Sequence, residues 1–233
     1  FDATHSAGPT VTSSSQIAAV AIDLRRILPA GAVASVWDGG DPPELYPDEA
    51  SAVARAVPSR RTEFSLGRAC ARRALAELGI PALSIPVGAS RQPVWPDGFV
   101  GSITHTVGLT ASVAAPTFRI AAIGLDAEPA HPLPDEVRRL VLTPSEMRQG
   151  VPVEETVIFS AKEAVYKALF PRGGRWLDFL DVEVTLDTNS RRFAVRATLE
   201  GRASDPRIPR LVGVFAQSAG YVLTLCHIAF GEG

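Results

Sequence analysis

The chain has 233 residues, of which 46% are hydrophobic and 21% are charged, and its formal net charge at pH 7 is -2. This is the composition of a globular protein that buries one sizeable core or two small ones. The near-neutral charge excludes a global attraction to nucleic acid or to membrane surfaces, so any electrostatic specialisation has to be local. Cys70 and Cys226 cannot frame a disulfide scaffold, and the four histidines lack the spacing of zinc ligands.

Membrane and targeting segments are not evident in the sequence. No apolar run approaches the roughly 18 to 20 residues of a membrane span, and nothing resembles a secretory signal peptide. We therefore expect a cytoplasmic protein that binds neither membranes nor nucleic acid. The first sixteen residues are small, polar and aperiodic, which predicts a disordered tail over 1–16.

The rest of the chain is predicted to form two α+β subdomains, 17–116 and 117–233, each of a usual domain size. In the first, we expect strands near 31–38, 83–87, 99–106 and 110–115 and a helical segment at 48–78 interrupted at Pro58. In the second, we expect a strand at 118–128, helical pieces near 134–148, a long helix at 153–170, and strands near 181–186, 191–199, 210–216 and 220–229. Each subdomain should therefore combine helices with an antiparallel sheet.

The segment IGLDAE (123–128) places two carboxylates at the end of a strand. Because side chains alternate along a strand, Asp126 and Glu128 share one face with Ala122 and Gly124. Two carboxylates so close repel each other unless a cation or a proton relieves them, and Mg²⁺ suits oxygen ligands where phosphates are bound. The alternative is a strand end that simply reaches solvent.

The helical segment FSAKEAVYKALF (159–170) has two unlike faces. At about 100° per residue, an apolar stripe is formed by Val157, Ala161, Ala164, Val165 and Ala168. The opposite face carries Phe159, Glu163, Tyr166, Lys167 and Phe170. If the other subdomain covers these aromatic side chains, the Glu163–Lys167 pair lies in a crevice, where ligands are often bound. The alternative is an ordinary exposed pair four residues apart, which contributes little.

Two further segments carry polar groups that suit a phosphate ligand. In RRTEFSLGRACARRAL (60–75), a row formed by Arg61, Arg68 and Arg72 runs beside the core stripe of a helix, and guanidinium groups at a groove rim match phosphate oxygens. A solvated basic face is the alternative. In WPDGFVGSITHT (95–106), Thr104 and His105 point to opposite faces of a strand, and His105 on its own has no assignable role.

Taken in order, these four motifs resemble the 4'-phosphopantetheinyl transferases, and more narrowly the bacterial branch that serves siderophore, polyketide and nonribosomal-peptide synthesis, which includes the enterobactin synthase component. The resemblance covers about Pro58 to Asp181. It implies a monomer with an α/β (α+β) fold, in which two pseudo-two-fold-related subdomains hold coenzyme A and Mg²⁺, or alternatively Mn²⁺, in the cleft between them.

The resemblance also implies roles for individual residues. The acidic positions of the family's metal site fall on Asp126, Glu128 and Glu163. The positions that contact coenzyme A fall on Arg60, Arg68, Thr104, His105 and Lys167. Glu163, Lys167 and His105 are the implied catalytic residues, with Glu163 either a general base or a metal ligand only. Two departures are a missing lysine near Val87, where the nearest base is Arg91, and Ala127, where some relatives have a third acid.

The implied reaction is phosphopantetheinyl transfer. A serine hydroxyl of an apo acyl or peptidyl carrier protein attacks the β-phosphorus of coenzyme A, and adenosine 3',5'-bisphosphate leaves. Two alternatives remain open at this point, a Mg²⁺-dependent hydrolase of nucleotides or coenzyme A that uses water as the nucleophile, and a coenzyme A binding protein without catalytic activity.

Overall fold

The structure, a computed structural model, describes residues 12–149, 151–173, 178–198 and 205–231. The helices in these ranges are α1 (Ser14–Arg26), α2 (Pro47–Ala52), α3 (Pro58–Glu77), α4 (Asp135–Val141), α5 (Pro144–Gln149) and α6 (Pro152–Gly173). The strands are β1 (Val33–Val36), β2 (Phe99–Thr106), β3 (Leu109–Pro116), β4 (Ile120–Pro129), β5 (Val182–Asp187), β6 (Arg192–Ala197), β7 (Val212–Ser218) and β8 (Tyr221–Ala229). Of the helices that are described, none is long and apolar enough to cross a bilayer.

The predicted fold class is confirmed, because the chain is a mixed α/β protein with two antiparallel sheets. One sheet has the strand order β1-β3-β2, and the other has the order β4-β8-β7-β6-β5. The break predicted at Pro58 is also confirmed, since α2 ends at Ala52 and α3 starts at Pro58. Proline suits the first helical position because the amide hydrogen it lacks would have no partner there.

Two of the predicted elements are wrong. The segment 83–87 is not a strand, since only Val87 forms an isolated bridge, to Pro93. At Ile85, side chains take the place of a neighbouring strand, because Ile85 N donates to Glu49 and Ile85 O accepts from Arg68.

The second wrong prediction is the disordered tail over 1–16. Residues 1–11 lie outside the described ranges, but the tail's last residues belong to α1. This helix starts with a capping box, in which Ser13 and Gln16 satisfy each other's backbone amides. Its apolar side chains Ile17, Val20 and Leu24 are buried.

Helices cover both faces of the three-stranded sheet. Ala114 of β3 packs with Ala71, Ala74 and Leu75 of α3. The neighbouring residues of β3 face the other way, into a cluster that contains the buried side of α1. Every residue of β3 is therefore buried, as expected for the central strand of a sheet covered on both sides.

Strand β4 of the five-stranded sheet alternates as the sequence predicts. Ile123, Leu125 and Ala127 point into the cluster shared with α1, whereas Ala122 packs with α6. The stripe predicted for α6 is buried, with side chains no more than 3% exposed: Val157, Ala161, Ala164, Val165 and Ala168. The face of β4 that carries the two carboxylates is thus the face that α6 covers.

The two sheets meet where β2 lies beside β4. Ser102 Oγ donates to Leu125 O, and Thr104 Oγ1 accepts from Ala127 N at 3.2 Å. One apolar cluster joins α1 and the first sheet to β4, β7 and β8. The predicted subdomain limits, 17–116 and 117–233, stay a prediction, and the turn at 117–119 between β3 and β4 is where they would divide the chain.

Gly124 sets the distance between β4 and α6. A β-carbon built at this position would lie 1.9 Å from the backbone oxygen of Ala164 and 2.8 Å from the amide nitrogen of Ala168. Because a helix backbone cannot yield locally as a side chain can, only glycine allows this approach. The glycine of IGLDAE thereby places Asp126 opposite Glu163 and Lys167.

We expect Gly124→Ala to lower the free energy of unfolding by about 1 to 3 kcal/mol, the usual cost of overpacking, and to reduce activity because α6 moves away from β4. Gly67→Ala is the matched control. Its new β-carbon would meet only a methyl group of Ile103, at 2.8 Å, and alanine favours the helix. Urea denaturation of both variants measures the difference, and equal stability of the two would contradict this account of Gly124.

Candidate active site

Asp126 is the centre of the candidate site and is only 3% exposed. Its Oδ1 accepts hydrogen bonds from Lys167 Nζ at 2.6 Å and from Thr104 Oγ1 at 3.2 Å. Its Oδ2 accepts from Ser160 Oγ at 2.8 Å. Donors from β2 and from two turns of α6 therefore fix this carboxylate. Direct contacts thus join three of the predicted site residues: Thr104, Asp126 and Lys167.

Glu163 and Glu128 face the same space. Burial raises the pKa of Glu163, the charge of Asp126 adds to this effect, and Lys167 opposes it. Burial likewise raises the pKa of Glu128 to about 7, with further contributions from Asp126 and Glu163 and with Lys167 opposing. The three predicted metal ligands thus lie within each other's electrostatic field.

The raised pKa of Glu128 predicts a pH-dependent stability. A carboxyl group that holds its proton more tightly in the folded state stabilises the fold below about pH 4.5, its ordinary pKa, and that contribution is lost as the pH rises to about 7. We expect the free energy of unfolding of the protein in EDTA to decline across this window and Glu128→Gln to remove part of the decline. Urea denaturation at several pH values measures it, with the exposed Glu136→Gln as control. Parallel curves for Glu128→Gln and wild type would contradict it.

The carboxylates of Asp126, Glu128 and Glu163 are ligands of the type that a hard divalent cation prefers, but their positions in the structure do not form a metal site. Glu128 and Glu163, whose pKa values the charge of Asp126 helps to raise, would be relieved by such a cation, and carboxylate oxygens are the ligands that Mg²⁺ prefers. In the part of the chain that the structure describes, however, no three acidic, histidine or cysteine side chains are arranged as a metal-binding group. Both oxygens of Asp126 already accept hydrogen bonds from protein donors.

His105 lies across the site on the α3 side of β2, paired with Arg60. Arg60 Nη1 is 2.7 Å from His105 Nε2, and Glu63 Oε2 is 4.0 Å from His105 Nδ1. A guanidinium only donates, so Nε2 accepts and the hydrogen resides on Nδ1. Partial burial lowers the pKa of His105, with Arg60 and Lys167 adding to the effect and Glu63 opposing it. The imidazole is therefore arranged as a neutral hydrogen-bond donor.

The arginine row does not form the groove rim that the sequence predicts. Arg61 donates to the carbonyls of Val53, Ala54 and Ala56, just past α2. Arg72 donates to both oxygens of the fully buried Glu49. Both arginines therefore fasten other segments to α3.

Arg68 is buried as well, since only 5% of its surface is exposed. Its Nε donates to Ile85 O at 2.8 Å, and its guanidinium carbon lies 4.2 Å from the centre of the Phe64 ring. Burial lowers its pKa to about 10. The rim position predicted for Arg68 is thus wrong, because the segment 83–87 covers it, while its role in binding coenzyme A stays a prediction.

The aromatic face of α6 is covered differently from the prediction. The Phe159 ring lies 5.7 Å from that of Phe179, and Tyr166 stacks on Phe170 at 4.8 Å. The aromatic side chains Phe159 and Tyr166 pack with the core of the second half, so the prediction that the first half covers them is wrong. From this face of α6, Lys167 reaches across to Thr104 of β2.

A pocket of about 280 Å³ opens beside Glu163 on this face. Its lining is mostly apolar and combines α6 with the segment that follows it: Lys162, Glu163, Val165, Tyr166, Asp178, Phe179 and Val182. The candidate site therefore has a charged part at Asp126 and an apolar extension along α6.

Sequence reasoning missed the residues that support these groups. Ser160 Oγ and Thr224 Oγ1 are 2.8 Å apart, and together they hold one side of Asp126. Ser160 lies three residues before Glu163, so helical spacing could have indicated it. Thr224 lies opposite Asp126 in the register of β4 with β8, and nothing in its local sequence indicates that pairing.

Comparison with known proteins identifies the family. A family model of the 4'-phosphopantetheinyl transferase N-terminal domain matches residues 48–115, and a model of the 4'-phosphopantetheinyl transferase superfamily matches residues 122–226. The 4'-phosphopantetheinyl transferase PptT of Mycobacterium tuberculosis is 40% identical over 197 residues, which cover 79% of this chain and 87% of that protein. The 4'-phosphopantetheinyl transferase Svp of Streptomyces mobaraensis is 38% identical over 223 residues, with coverage of 90% and 91%.

A shorter similarity extends to the enterobactin branch. Enterobactin synthase component D of Salmonella typhi is 37% identical over 123 residues, which cover 48% of this chain and 50% of that protein. The resemblance seen in the motifs is confirmed by these matches, two of which extend over most of the chain. This protein is a member of the 4'-phosphopantetheinyl transferase superfamily.

Proposed function

We propose that this chain transfers the 4'-phosphopantetheine group of coenzyme A to a serine of an apo acyl or peptidyl carrier protein and releases adenosine 3',5'-bisphosphate. The observation that supports it best is the meeting of Asp126, Glu163 and Lys167 where β4, α6 and β2 adjoin. An acidic group, a base and an ammonium at one point suit the transfer of a phosphoryl group, which depends on charge stabilisation and alignment. We further propose that the protein acts as a monomer in the cytoplasm.

We assign Asp126, Glu128 and Glu163 as the residues that would hold Mg²⁺, or alternatively Mn²⁺. When bound, such a cation would reduce the negative charge on the diphosphate of coenzyme A. Lys167 binds the phosphoryl oxygens as a compact point charge. His105 donates a hydrogen bond to a phosphate oxygen through Nδ1, because Arg60 occupies Nε2. Glu163 is suited to accept the proton of the serine hydroxyl, since its raised pKa makes it a better base than an ordinary glutamate.

Two further parts of coenzyme A have proposed positions. The apolar pocket accepts the pantetheine arm, because it opens beside Glu163 and is lined by Val165, Tyr166 and Phe179. Arg60 and Arg68, with Thr104 at the diphosphate, hold the nucleotide end. Arg68 Nε is engaged by the protein at Ile85 O, and we assign the 3'-phosphate to the outer edge of its guanidinium group.

Mass spectrometry of apo carrier proteins tests the proposed reaction. A panel of apo acyl and peptidyl carriers is incubated with the protein, coenzyme A and Mg²⁺, and both the carrier mass and the released nucleotide are measured. We expect one phosphopantetheine on the carrier and an equal amount of adenosine 3',5'-bisphosphate. Bisphosphate released without any carrier would indicate a hydrolase instead, and coenzyme A bound without either product would indicate a binding protein.

The assignment of Arg68 gives a separate prediction. We expect Arg68→Met to raise the KM for coenzyme A by about 10- to 100-fold, the equivalent of one charge-assisted hydrogen bond. The KM for the analogue that lacks the 3'-phosphate should change far less, because that ligand makes no such bond. Steady-state kinetics with both ligands measures the difference. Equal losses would show that Arg68 supports the fold of α3 and does not bind the 3'-phosphate.

A further inference from the structure

Lys167 pairs with Asp126, the carboxylate at the centre of the candidate site. Its Nζ lies 2.6 Å from Asp126 Oδ1, and its next contact is Thr104 Oγ1 at 3.4 Å. The Asp126 side chain is 5% exposed and that of Lys167 is 26% exposed. The ammonium therefore forms a short ion pair with a buried carboxylate, and its charge also opposes the rise in the pKa of Glu128 and of Glu163.

Of the groups bound to Asp126, only Lys167 is able to leave. Ser160 and Thr104 have short side chains and are themselves buried, at 0% and 2% exposure. Lys167 has a flexible four-carbon stem that reaches towards solvent. For Asp126 Oδ1 to accept a second cation, Lys167 has to move, because two positive charges on one oxygen repel each other.

The composition of the chain indicates that lysine is used selectively. The sequence contains two lysines, Lys162 and Lys167, and every other basic residue among its 23 is an arginine. Lys162 is 1% exposed at its side chain and is bound inside the fold. Lys167 is thus the one lysine free to change partners. A compact ammonium exchanges between single oxygens more readily than a guanidinium, which forms paired hydrogen bonds.

We propose that Lys167 holds the place of the divalent cation before the substrates bind. A divalent cation held by these carboxylates would take the place of the ammonium at Asp126, and Lys167 would then be free to bind the diphosphate. Metal and coenzyme A therefore bind cooperatively, because each ligand stabilises the arrangement that the other requires. This inference rests on the proposed function in requiring a divalent cation and a diphosphate at this site.

Metal binding without coenzyme A is the direct test. Mn²⁺ is titrated into the wild type and into Lys167→Met, and binding is followed by calorimetry and by electron paramagnetic resonance of the free ion. Because the competing ammonium is gone, we expect Lys167→Met to bind Mn²⁺ more tightly by about 5- to 150-fold, the usual range for coupled sites. A lysine that serves only the diphosphate would leave Mn²⁺ affinity unchanged.

Arg60→Met is the matched control for the loss of one positive charge. Arg60 bonds to His105 and Glu63, whereas the side chains that donate to Asp126 are those of Thr104, Ser160 and Lys167. Its removal tests whether a weaker positive field alone strengthens metal binding, and we expect a much smaller gain than for Lys167→Met. Equal gains in the two variants, or no gain in Lys167→Met, would overturn the proposal.

The wild type gives an independent measurement. With ¹⁵N-labelled lysine, the protein has only two Nζ signals, and that of the buried Lys162 is an internal reference. We expect saturating Mg²⁺ to shift the Lys167 signal and leave the Lys162 signal in place. An unchanged Lys167 signal at a Mg²⁺ concentration that calorimetry shows to saturate the site would overturn the proposal. The carrier assay on the same wild type tests the proposed function separately, so the two failures are distinguishable.

Discussion

Replacement of Lys162 by methionine is expected to lower the free energy of unfolding by about 3 to 5 kcal/mol, because it breaks a buried ion pair and leaves one partner charged. Lys162 Nζ donates to Glu146 Oε2 at 2.7 Å and to the carbonyls of Val141 and Phe179, each at 2.8 Å. The Glu146 side chain is fully buried. One ammonium thus joins the end of α4, the start of α5 and the segment after α6.

The variant Lys162→Met/Glu146→Gln separates the unpaired charge from the lost contacts. Glutamine keeps an oxygen that accepts from Thr143 N or Val184 N, as Glu146 does, and it removes the charge. We expect the double variant to regain a large part of the stability that the single variant loses. The largely exposed pair Arg26–Asp23 is the control, and Arg26→Met should cost no more than about 1 kcal/mol. Urea denaturation compares all three variants, and a cost for Lys162→Met as small as that for Arg26→Met would contradict this role.

Loss of Lys162 should also affect catalysis. Phe179 lines the pocket beside Glu163 and is held through its carbonyl by Lys162. A loosened wall weakens the binding of the pantetheine arm more than it slows the chemical step. The ion pair that stabilises the fold therefore also shapes the proposed substrate pocket.

Much of the site was predictable because its residues form pairs that are only two or four positions apart in the sequence. Alternation along a strand places Asp126 and Glu128 on one face, and helical periodicity places Glu163 beside Lys167. The structure confirms both arrangements, since α6 covers the face of β4 that carries Asp126. Periodicity of this kind depends only on backbone geometry, which neighbouring elements do not alter.

The errors concern contacts between segments that are distant in the sequence. Helical spacing predicted the side of α3 from which Arg68 projects. It could not predict that the segment 83–87 would cover this side chain. It also predicted a second, functional face on α6 without showing that Phe179 would pack there. Lys162 and Glu146 lie sixteen residues apart, and neither residue has a sequence pattern that indicates the other. Tertiary packing decides whether such a charge meets solvent, a ligand or a buried partner.

Glu163→Gln is expected to lower kcat by about 10²- to 10⁴-fold, the usual contribution of a general base, with stability close to that of the wild type. Glutamine has the shape of glutamate but cannot accept the serine proton. Glu154→Gln is the matched control on the same helix, since it removes a carboxylate that caps the start of α6 at Val151 N. Nine residues of helix, about 13 Å, separate the two positions, so we expect Glu154→Gln to leave kcat unchanged.

The pH profile and metal titration distinguish the two roles considered for Glu163. If Glu163 is the base, it has to be ionised, so the kcat of the wild type falls as the pH drops through a pKa that burial and Asp126 raise above the ordinary value. Glu163→Gln then loses this acidic limb, and excess Mn²⁺ does not restore its kcat. If Glu163 is a metal ligand only, Mn²⁺ affinity falls and excess Mn²⁺ restores much of kcat. Because burial and the charge of Asp126 raise the pKa of Glu163 against the opposing charge of Lys167, we expect the first result, and recovery of kcat by excess Mn²⁺ would reject the assignment of Glu163 as the base.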